Sequence, residues 1–183
     1  GTMPFKTWKL VMKYSLCFSL IFFLISSSDS YSENFSPDDL IQRNGLFYNK
    51  FSDELFSGTV EFRFGNGQLR SQGFLKNGRP EGYWEDFNED GTYFSKGNYK
   101  DGKPNGNFQF YHENGVLEEE GIFVLGIKEG NWKTYWDNGN LKRTGDWKKG
   151  KANGLFKFFN YHEKLLKVET WENGNKVKGN GST

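Results

Sequence analysis

NGRPEGYW, the stretch from Asn77 to Trp84, returns along the chain in close copies on a fixed spacing. The copies are DGKPNGNF from Asp101, LGIKEGNW from Leu125 and KGKANGLF from Lys149, and each begins 24 residues after the one before. A constant period of this length is the signature of a protein that is built from stacked structural repeats.

Five units of 24 residues can be numbered from the glycine that follows each turn, which is position 1: Gly58, Gly82, Gly106, Gly130 and Gly154. Position 3 is apolar: Val60, Trp84, Phe108, Trp132 and Phe156. Position 6 is mostly aromatic: Arg63, Phe87, Tyr111, Tyr135 and Phe159. Position 16 is glycine in four units: Gly73, Gly97, Gly121 and Gly145. Position 18 is apolar again: Leu75, Tyr99, Phe123, Trp147 and Trp171.

Each unit divides into two strands of about six residues. Positions 8–10 read GNG, EDG, ENG and DNG, which suit a tight hairpin with a left-handed glycine, and positions 19–22 form a second turn toward the next unit. The sequence therefore predicts an all-β fold, a single-layer, elongated antiparallel meander that advances by one hairpin per unit. Two strands at about 4.8 Å each advance the sheet by about 10 Å per unit.

The glycines at position 16 predict how the sheet packs. Positions 12, 16 and 18 share parity and so face one side of the sheet. A strand glycine leaves room for a neighbouring ring to lie across the backbone, and the aromatic residue at position 3 is our candidate for that ring. Positions 3 and 6 have opposite parity, so either a bulge lies between them or both faces carry aromatic rings.

The ends of the repeat array differ from its middle, as arrays require. We expect residues 33–57 to form an amino-terminal cap, 58–178 the five units and 179–183 a tail. Within the cap, Ser36 and Pro37 predict a short helix from Pro37 to Arg43 that covers the first sheet edge. An introductory strand is expected from Leu46 to Phe51. Glu163 and Glu169 replace two glycines of the last unit, which indicates a terminal cap.

The first 32 residues have the order of a secretory signal. Three lysines precede the apolar run from Tyr14 to Ile25, and a Ser-rich segment follows, so we expect cleavage after Ser32. An uncleaved anchor is the alternative, although the run is shorter than the ~20 residues that span a bilayer. Met12 is an alternative start, so the prediction of a signal depends little on residues 1–11. The signal predicts an exported protein, in the periplasm, at the cell surface or secreted.

Composition limits the function classes. The formal net charge of +1 gives no indication of nucleic-acid binding. Aromatic residues make up 19% of the chain and glycine contributes 23 residues, which favours short strands and tight turns. The single cysteine, Cys17, lies in the apolar run, so the expected mature chain contains no thiol for a disulfide, a nucleophile or a metal.

The segment GDWKKGKANGLFKF, from Gly145 to Phe158, resembles a MORN repeat, and the segments that begin at Gly97 and Gly73 repeat its pattern. Position 3 is Val, Trp or Phe where the usual pattern has glycine, and this departure resembles the bacterial MORN-variant class with its YwqK-type members. The resemblance covers about residues 46–178. It implies a sheet of hairpins, and it implies a protein partner with an antitoxin or immunity role.

No catalytic constellation stands out in the sequence. His112 and His162 occupy different positions of different units and lack a second ligand at metal-binding spacing. Glu118 to Glu120 are consecutive, so on a strand they point to alternate faces and do not converge on one substrate. We therefore expect no enzyme activity, no metal and no cofactor.

Rows of similar residues favour a binding scaffold. We predict partner binding through an aromatic row: Phe87, Tyr111, Tyr135 and Phe159, with Trp84 and Trp132 nearby. A second row predicts a basic edge: Lys76, Arg79, Lys100, Lys103, Lys148 and Lys151. Packing within the sheet and solubility of the turns are the plainer interpretations of these rows. A protein is the expected partner, and a glycan or a membrane surface is the alternative.

Overall fold

The structure is a computed structural model and describes residues 37–181; the predicted signal segment and Ser36 lie outside the described residues. In this part of the chain, the strands are β1 Leu40–Arg43, β2 Leu46–Asn49, β3 Gly58–Arg63, β4 Leu69–Lys76, β5 Arg79–Phe87, β6 Tyr93–Lys100, β7 Lys103–Tyr111, β8 Leu117–Val124, β9 Ile127–Tyr135, β10 Leu141–Lys148, β11 Lys151–Phe159, β12 Leu165–Glu172 and β13 Asn175–Gly181. Strands β3 to β13 form one antiparallel sheet in sequence order. The predicted continuous meander is confirmed.

The turns at positions 20 and 21 explain why the spacing never varies. In the β4–β5 turn Asn77 and Gly78 have φ angles of 48° and 71°, as a two-residue type I′ turn requires. In the β6–β7 turn the Gly102 N–H donates to Pro80 O at 2.9 Å, and the Asp101 N–H donates to Glu81 Oε2 at 2.9 Å. A turn on this margin is thus hydrogen-bonded to the first residues of the strand that begins at the previous turn, here β5. An inserted residue would break this ladder.

The connections on the opposite margin are loops of five residues rather than the tight turns that the sequence predicts. In the loop between β5 and β6 the Asn88 N–H donates to Thr92 O at 2.8 Å, and Asp90 Oδ1 accepts from the Thr92 N–H at 2.9 Å. The left-handed glycine is confirmed, with φ 86° at Gly91. A register shift follows, between Asp86 and Phe87 where β5 pairs with β6.

One face of the sheet, which we call the ring face, carries the rings of positions 3 and 18. Trp132 lies across Gly121 and Phe108 lies across Gly97, so closely that a Cβ atom on either glycine would overlap the ring. Phe123 meets Trp132 edge-on with ring centroids 4.8 Å apart. The predicted packing of rings on glycines is confirmed, and it buries large side chains in a sheet of one layer.

The other face, which we call the polar face, carries the rings of position 6. The Tyr111 hydroxyl donates to Gln109 Oε1 at 3.1 Å, and the Tyr135 hydroxyl donates to Glu120 Oε1 at 2.7 Å. Gln109 and Glu120 are neighbours of ring-face residues in their strands and therefore point the opposite way. Of the two alternatives left open by the sequence, the second holds: both faces carry aromatic rings, and the extra residue at the register shift lies on the neighbouring strand rather than between positions 3 and 6.

The predicted helix from Pro37 to Arg43 is wrong beyond its first turn. Pro37–Asp39 form a single 3-10 turn, and Leu40–Arg43 pair with Leu46–Asn49 as a separate two-stranded sheet. The physical reason is the Asn44-Gly45 pair, whose φ angles of 52° and 77° form a type I′ hairpin turn.

The amino-terminal hairpin packs on the ring face. Leu40 and Phe47 contact a buried cluster at the start of the sheet: Phe56, Val60, Leu75 and Trp84. The cap therefore covers apolar surface on the face of the sheet, whereas the sequence predicts a cover over its edge.

The last unit ends the ring face with a carboxylate. Glu169 stands where the other units have glycine, and it is only 5% exposed. It accepts hydrogen bonds from Lys176 Nζ at 2.7 Å, Lys167 Nζ at 3.0 Å and Trp171 Nε1 at 3.2 Å. Its strand neighbour on β13 is Gly179, which carries no ring, so charged groups fill the space that a ring fills elsewhere. This supports the prediction of a terminal cap.

Candidate functional site: a groove on the polar face

The structure separates the six aromatic residues of the predicted binding row. Trp84 and Trp132 lie on the ring face and are 6% and 2% exposed, and each indole N–H donates to a backbone carbonyl, at Phe74 and Ile122 respectively. They belong to the packed layer and are unavailable to a partner. The remaining four are half-buried: Phe87, Tyr111, Tyr135 and Phe159.

Two position 6 rings, Phe87 and Tyr111, form a wall along the polar face with Tyr93 of position 12 between them, and we call it the position 6 wall. Phe87 stacks on Tyr93 with centroids 4.9 Å apart, and Tyr93 lies 5.5 Å from Tyr111. Burial, together with the hydrogen bond to Glu120, raises the pKa of Tyr135 to about 12. The same hydrogen bond lowers the pKa of Glu120. Tyr135 is therefore tied to the polar side chain beside it.

An open groove of about 680 Å³ lies on the polar face across strands β5 to β9. Its side-chain lining combines exposed apolar groups, carboxamides and charges: Tyr83, Lys96, Asn98, Asn107, Gln109, Glu120, Ile122, Asn131 and Lys133. Tyr83 is 52% exposed and Ile122 is 45% exposed, so apolar contact area is available in the groove. The lining offers hydrogen bonds and ring contacts to a ligand.

Lys96 is the cation nearest the position 6 wall. Its Nζ lies 4.5 Å from the centroid of Tyr93 and 5.2 Å from that of Tyr111, within the range of cation–π attraction. Hydrogen bonding to Tyr111 is the largest cause of a raised pKa at Lys96. The side chain is therefore charged at neutral pH and is held beside the groove.

Sequence reasoning missed most of this groove. Tyr83, Lys96, Asn98 and Asn107 occupy positions 2, 15, 17 and 2 of their units, which have the opposite parity to the ring-bearing positions. Parity assigns them, together with position 6, to one face, but it assigns Tyr93 at position 12 to the other face. The register shift beside the loop instead brings Tyr93 to the polar face, where it stacks on Phe87, so the prediction that positions 12, 16 and 18 share a face is wrong for Tyr93.

The predicted basic edge lies along the margin that carries the type I′ turns, and its six residues are exposed: Lys76, Arg79, Lys100, Lys103, Lys148 and Lys151. None of the six makes an ion pair with another residue of the part that the structure describes. The β8–β9 turn interrupts this edge with Val124, Leu125 and Ile127, each about half exposed. Leu125 also has a φ angle of 48°.

The histidines and the three consecutive glutamates do not converge on one site. His112 Nε2 lies 3.0 Å from Tyr135 O, and His162 is exposed on a different loop. Glu119 points to the ring face, where it pairs with Lys128 at 2.7 Å, while Glu120 points to the polar face. Among residues 37–181 no three His, Cys, Asp or Glu side chains are grouped to hold a metal ion. The described segment also contains no helix of the length and apolarity that a bilayer crossing demands.

Comparison with solved structures finds distant likenesses, three of which follow. TarM has a TM-score of 0.36 at 14% identity over 66% of this chain. A mutant of S. aureus TarM in complex with Fondaparinux, alpha-GlcNAc-glycerol and UDP has a TM-score of 0.37 at 13% identity over 66% of this chain. Accessory secretory protein 1, 2 and 3 of Streptococcus pneumoniae has a TM-score of 0.20 at 13% identity over 76%. The chain covers 21%, 21% and 20% of these three chains, about a fifth of each.

A comparison with curated proteins finds no match. The repeat itself does match a family model: residues 80–101, 104–124 and 128–149 correspond to the MORN repeat variant. These segments fall within strands β5 to β10, which form the middle of the sheet and contain most of the groove. The chain therefore contains three consecutive MORN repeat variants.

Proposed function

We propose that this protein is a non-catalytic repeat scaffold that binds a protein partner through the polar face. The observation that carries the proposal is the difference between the two faces of the sheet. The large side chains of the ring face pack on glycines, whereas the polar face has a groove that is open to solvent. Repeat proteins use such extended surfaces for binding.

Catalysis fits the arrangement poorly. An active site brings unlike groups together around one reacting atom, and its acids and bases have pKa values matched to their task. Here the largest pKa shifts belong to Tyr135, held by Glu120, and to Glu169, held by two lysines at the end of the array. The pKa shift of Tyr135 follows from burial and from its hydrogen bond to Glu120. The pKa shift of Glu169 follows from its hydrogen bonds to Lys176 and Lys167, so a binding role accounts for these polar groups better.

Export and an immunity-like role are finer parts of the proposal. The amino-terminal residues 1–32 support export because they follow the order of a secretory signal. An antitoxin or immunity role is supported by the resemblance of the departure at position 3 to the YwqK-type variants. Export would bring the chain to a protein partner outside the cytoplasm.

The experiment is site-specific photo-crosslinking of the full chain in the organism from which it comes. A benzoylphenylalanine at Tyr83 should capture the partner, and the same group at Glu113, an exposed loop residue, should not. The partner is then purified and its affinity measured for the double variant Tyr111→Ala and Tyr135→Ala. We expect a loss of about 2 kcal/mol or more, the size of a hot-spot truncation.

Charge reversal at Lys100 and Lys103 is the control for the basic edge. It should change mainly the association rate and its salt dependence. A partner that crosslinks only from Glu113, or whose affinity depends on Lys100 and Lys103 but not on the two tyrosines, would move the site to a margin. A glycan recovered in place of a protein would contradict the proposed partner class.

A further inference from the structure

One cation of the groove, Lys96, makes no ion pair with a carboxylate of the described residues. Lys96 faces Glu85 across the β5–β6 pair, but no ion pair joins them. Glu85 is instead engaged by Gln72 Nε2 at 2.6 Å and by the Tyr93 hydroxyl at 3.1 Å. The other groove lysine, Lys133, lies 3.6 Å from Glu120. Lys96 is therefore the groove cation that has no carboxylate partner among the described residues.

Two carboxamides beside Lys96 are also unengaged. Asn98 follows Lys96 on the same face of β6, and Asn107 lies on the adjacent strand β7; neither side chain forms a hydrogen bond with another residue of the described segment. Asn131, by contrast, donates to Asp146 Oδ1 at 2.9 Å and accepts from Thr144 at 3.0 Å. Free donor and acceptor capacity in the groove is thus concentrated on β6 and β7.

The chemistry of these groups specifies a ligand. A carboxamide offers one acceptor oxygen and two donor hydrogens, which match the N–H and C=O of a peptide group. An extended peptide segment leaves its peptide groups free for such pairing, while a helix does not. The ammonium of Lys96 matches a carboxylate, and the exposed ring of Tyr83 offers contact area to a neighbouring side chain.

The dimensions of the groove agree with a short extended segment. Five neighbouring strands, β5 to β9, contribute to it, and four spacings of about 4.8 Å give a span of ~19 Å. An extended chain advances by at most ~3.3–3.6 Å per residue, so about six residues cover that span.

We propose that the groove binds an extended peptide segment of the partner, with an Asp or Glu side chain of that segment placed on Lys96 and its peptide groups on Asn98 and Asn107. This inference rests on the proposed protein-binding function and names the part of the partner that is recognised. Because the groove is open to solvent, added salt should weaken the contact between Lys96 and the acidic side chain.

The test uses a phage-displayed library of unconstrained heptapeptides and the full chain as bait. Peptides enriched over the triple variant Lys96→Gln, Asn98→Ala, Asn107→Ala should contain Asp or Glu at one common place. An enriched peptide and its analogue with Gln for Glu, or Asn for Asp, are then synthesised. Their dissociation constants are measured by fluorescence anisotropy. No enrichment over the triple variant, or enrichment without an acidic residue, would overturn the inference.

A double-mutant cycle separates a direct contact from a general charge effect. Lys96→Gln should weaken the acidic peptide about tenfold, and it should leave the affinity for the neutral analogue unchanged. Lys157→Gln is the matched control, because Lys157 is an exposed lysine on the polar face outside the groove. The contact would be refuted if Lys96→Gln and Lys157→Gln weakened binding of the acidic peptide equally. It would also be refuted if the effect of Lys96→Gln and the effect of neutralising the peptide's acid were additive.

The outcome for the partner itself distinguishes this inference from the proposed function. A partner that crosslinks at Tyr83 but keeps its affinity for the Lys96→Gln variant would leave the binding function standing and overturn the assignment of the groove. Specific binding of a uronic-acid oligosaccharide, lost in Lys96→Gln, with no peptide enriched, would overturn both the peptide class and the protein partner.

Discussion

Replacement of Gly121 by alanine should destabilise the sheet although it adds only one methyl group. A Cβ atom at Gly121 would lie 2.6 Å from Cγ of Trp132 and closer still to two other ring atoms. Carbon atoms pack at about 3.5–4.0 Å, so the indole would have to move by about 1 Å or more. It is held by the hydrogen bond to Ile122 O at 3.1 Å, by Phe123 and by Lys128 Nζ, 3.8 Å from its centroid.

Overpacking of this kind costs about 1–3 kcal/mol. For a domain of this size the loss corresponds to a fall in Tm of about 3–10 °C, and Gly121→Val should cost more. Gly65→Ala is the matched control, because Gly65 has open space around its Cβ direction and no left-handed φ. It should leave the Tm unchanged or raise it slightly. Thermal unfolding followed by circular dichroism measures both variants, and equal Tm values would refute the packing of rings on glycines.

Three further predictions concern single side chains. Lys176 and Lys167 lower the pKa of Glu169 to about 2, below its usual 4.5, so the stability that this carboxylate adds is present above pH 4.5 and is lost as pH falls toward 2. As pH falls over that range, the urea midpoint of Glu169→Gln should therefore fall less steeply than that of the unaltered chain. Parallel curves for the two proteins would contradict this. Leu125→Asn should raise stability by ~0.5–1 kcal/mol in urea unfolding, because Asn tolerates the left-handed φ of 48° better than Leu; a lower urea midpoint would argue against strain at this turn. Tyr135→Phe should remove an absorbance change near pH 12 from an ultraviolet titration, because burial and the hydrogen bond to Glu120 raise the pKa of this phenol to about 12; a loss near pH 10 instead would contradict this.

Much of the fold could be predicted because each repeated residue type meets one local structural requirement, such as a positive φ angle or space for a ring. The glycine and small polar residues of the turns require positive φ, which the structure shows at Asn77 and Gly78. The glycine at position 16 predicts a ring above it, and Trp132 on Gly121 confirms this. Such requirements are decided within a few residues or between adjacent strands, so a single sequence reveals them.

The features that the sequence did not predict depend on register or on competition between local signals. Pro37 favours a helix start, but the Asn44-Gly45 turn favours a hairpin, and burial of Leu40 and Phe47 on the ring face supports the hairpin. Which residues accompany the position 6 rings depends on the register shifts beside the five-residue loops. A one-residue difference there exchanges the two faces of a strand.

The two faces also differ in how much they repeat, and that difference supports the proposed binding role of the polar face. Position 16, on the ring face, is glycine in four of the five units. Position 15, its neighbour on the polar face, carries a different residue in every unit: Gln72, Lys96, Glu120, Thr144 and Val168. Solubility would be met by the same polar residue in each unit, so solubility does not explain this variation. Because the hydrogen-bonded ladder and the rings fix the strands, the position 15 side chains can vary without loss of the fold, and this variation supports the proposed contact of a partner with Lys96.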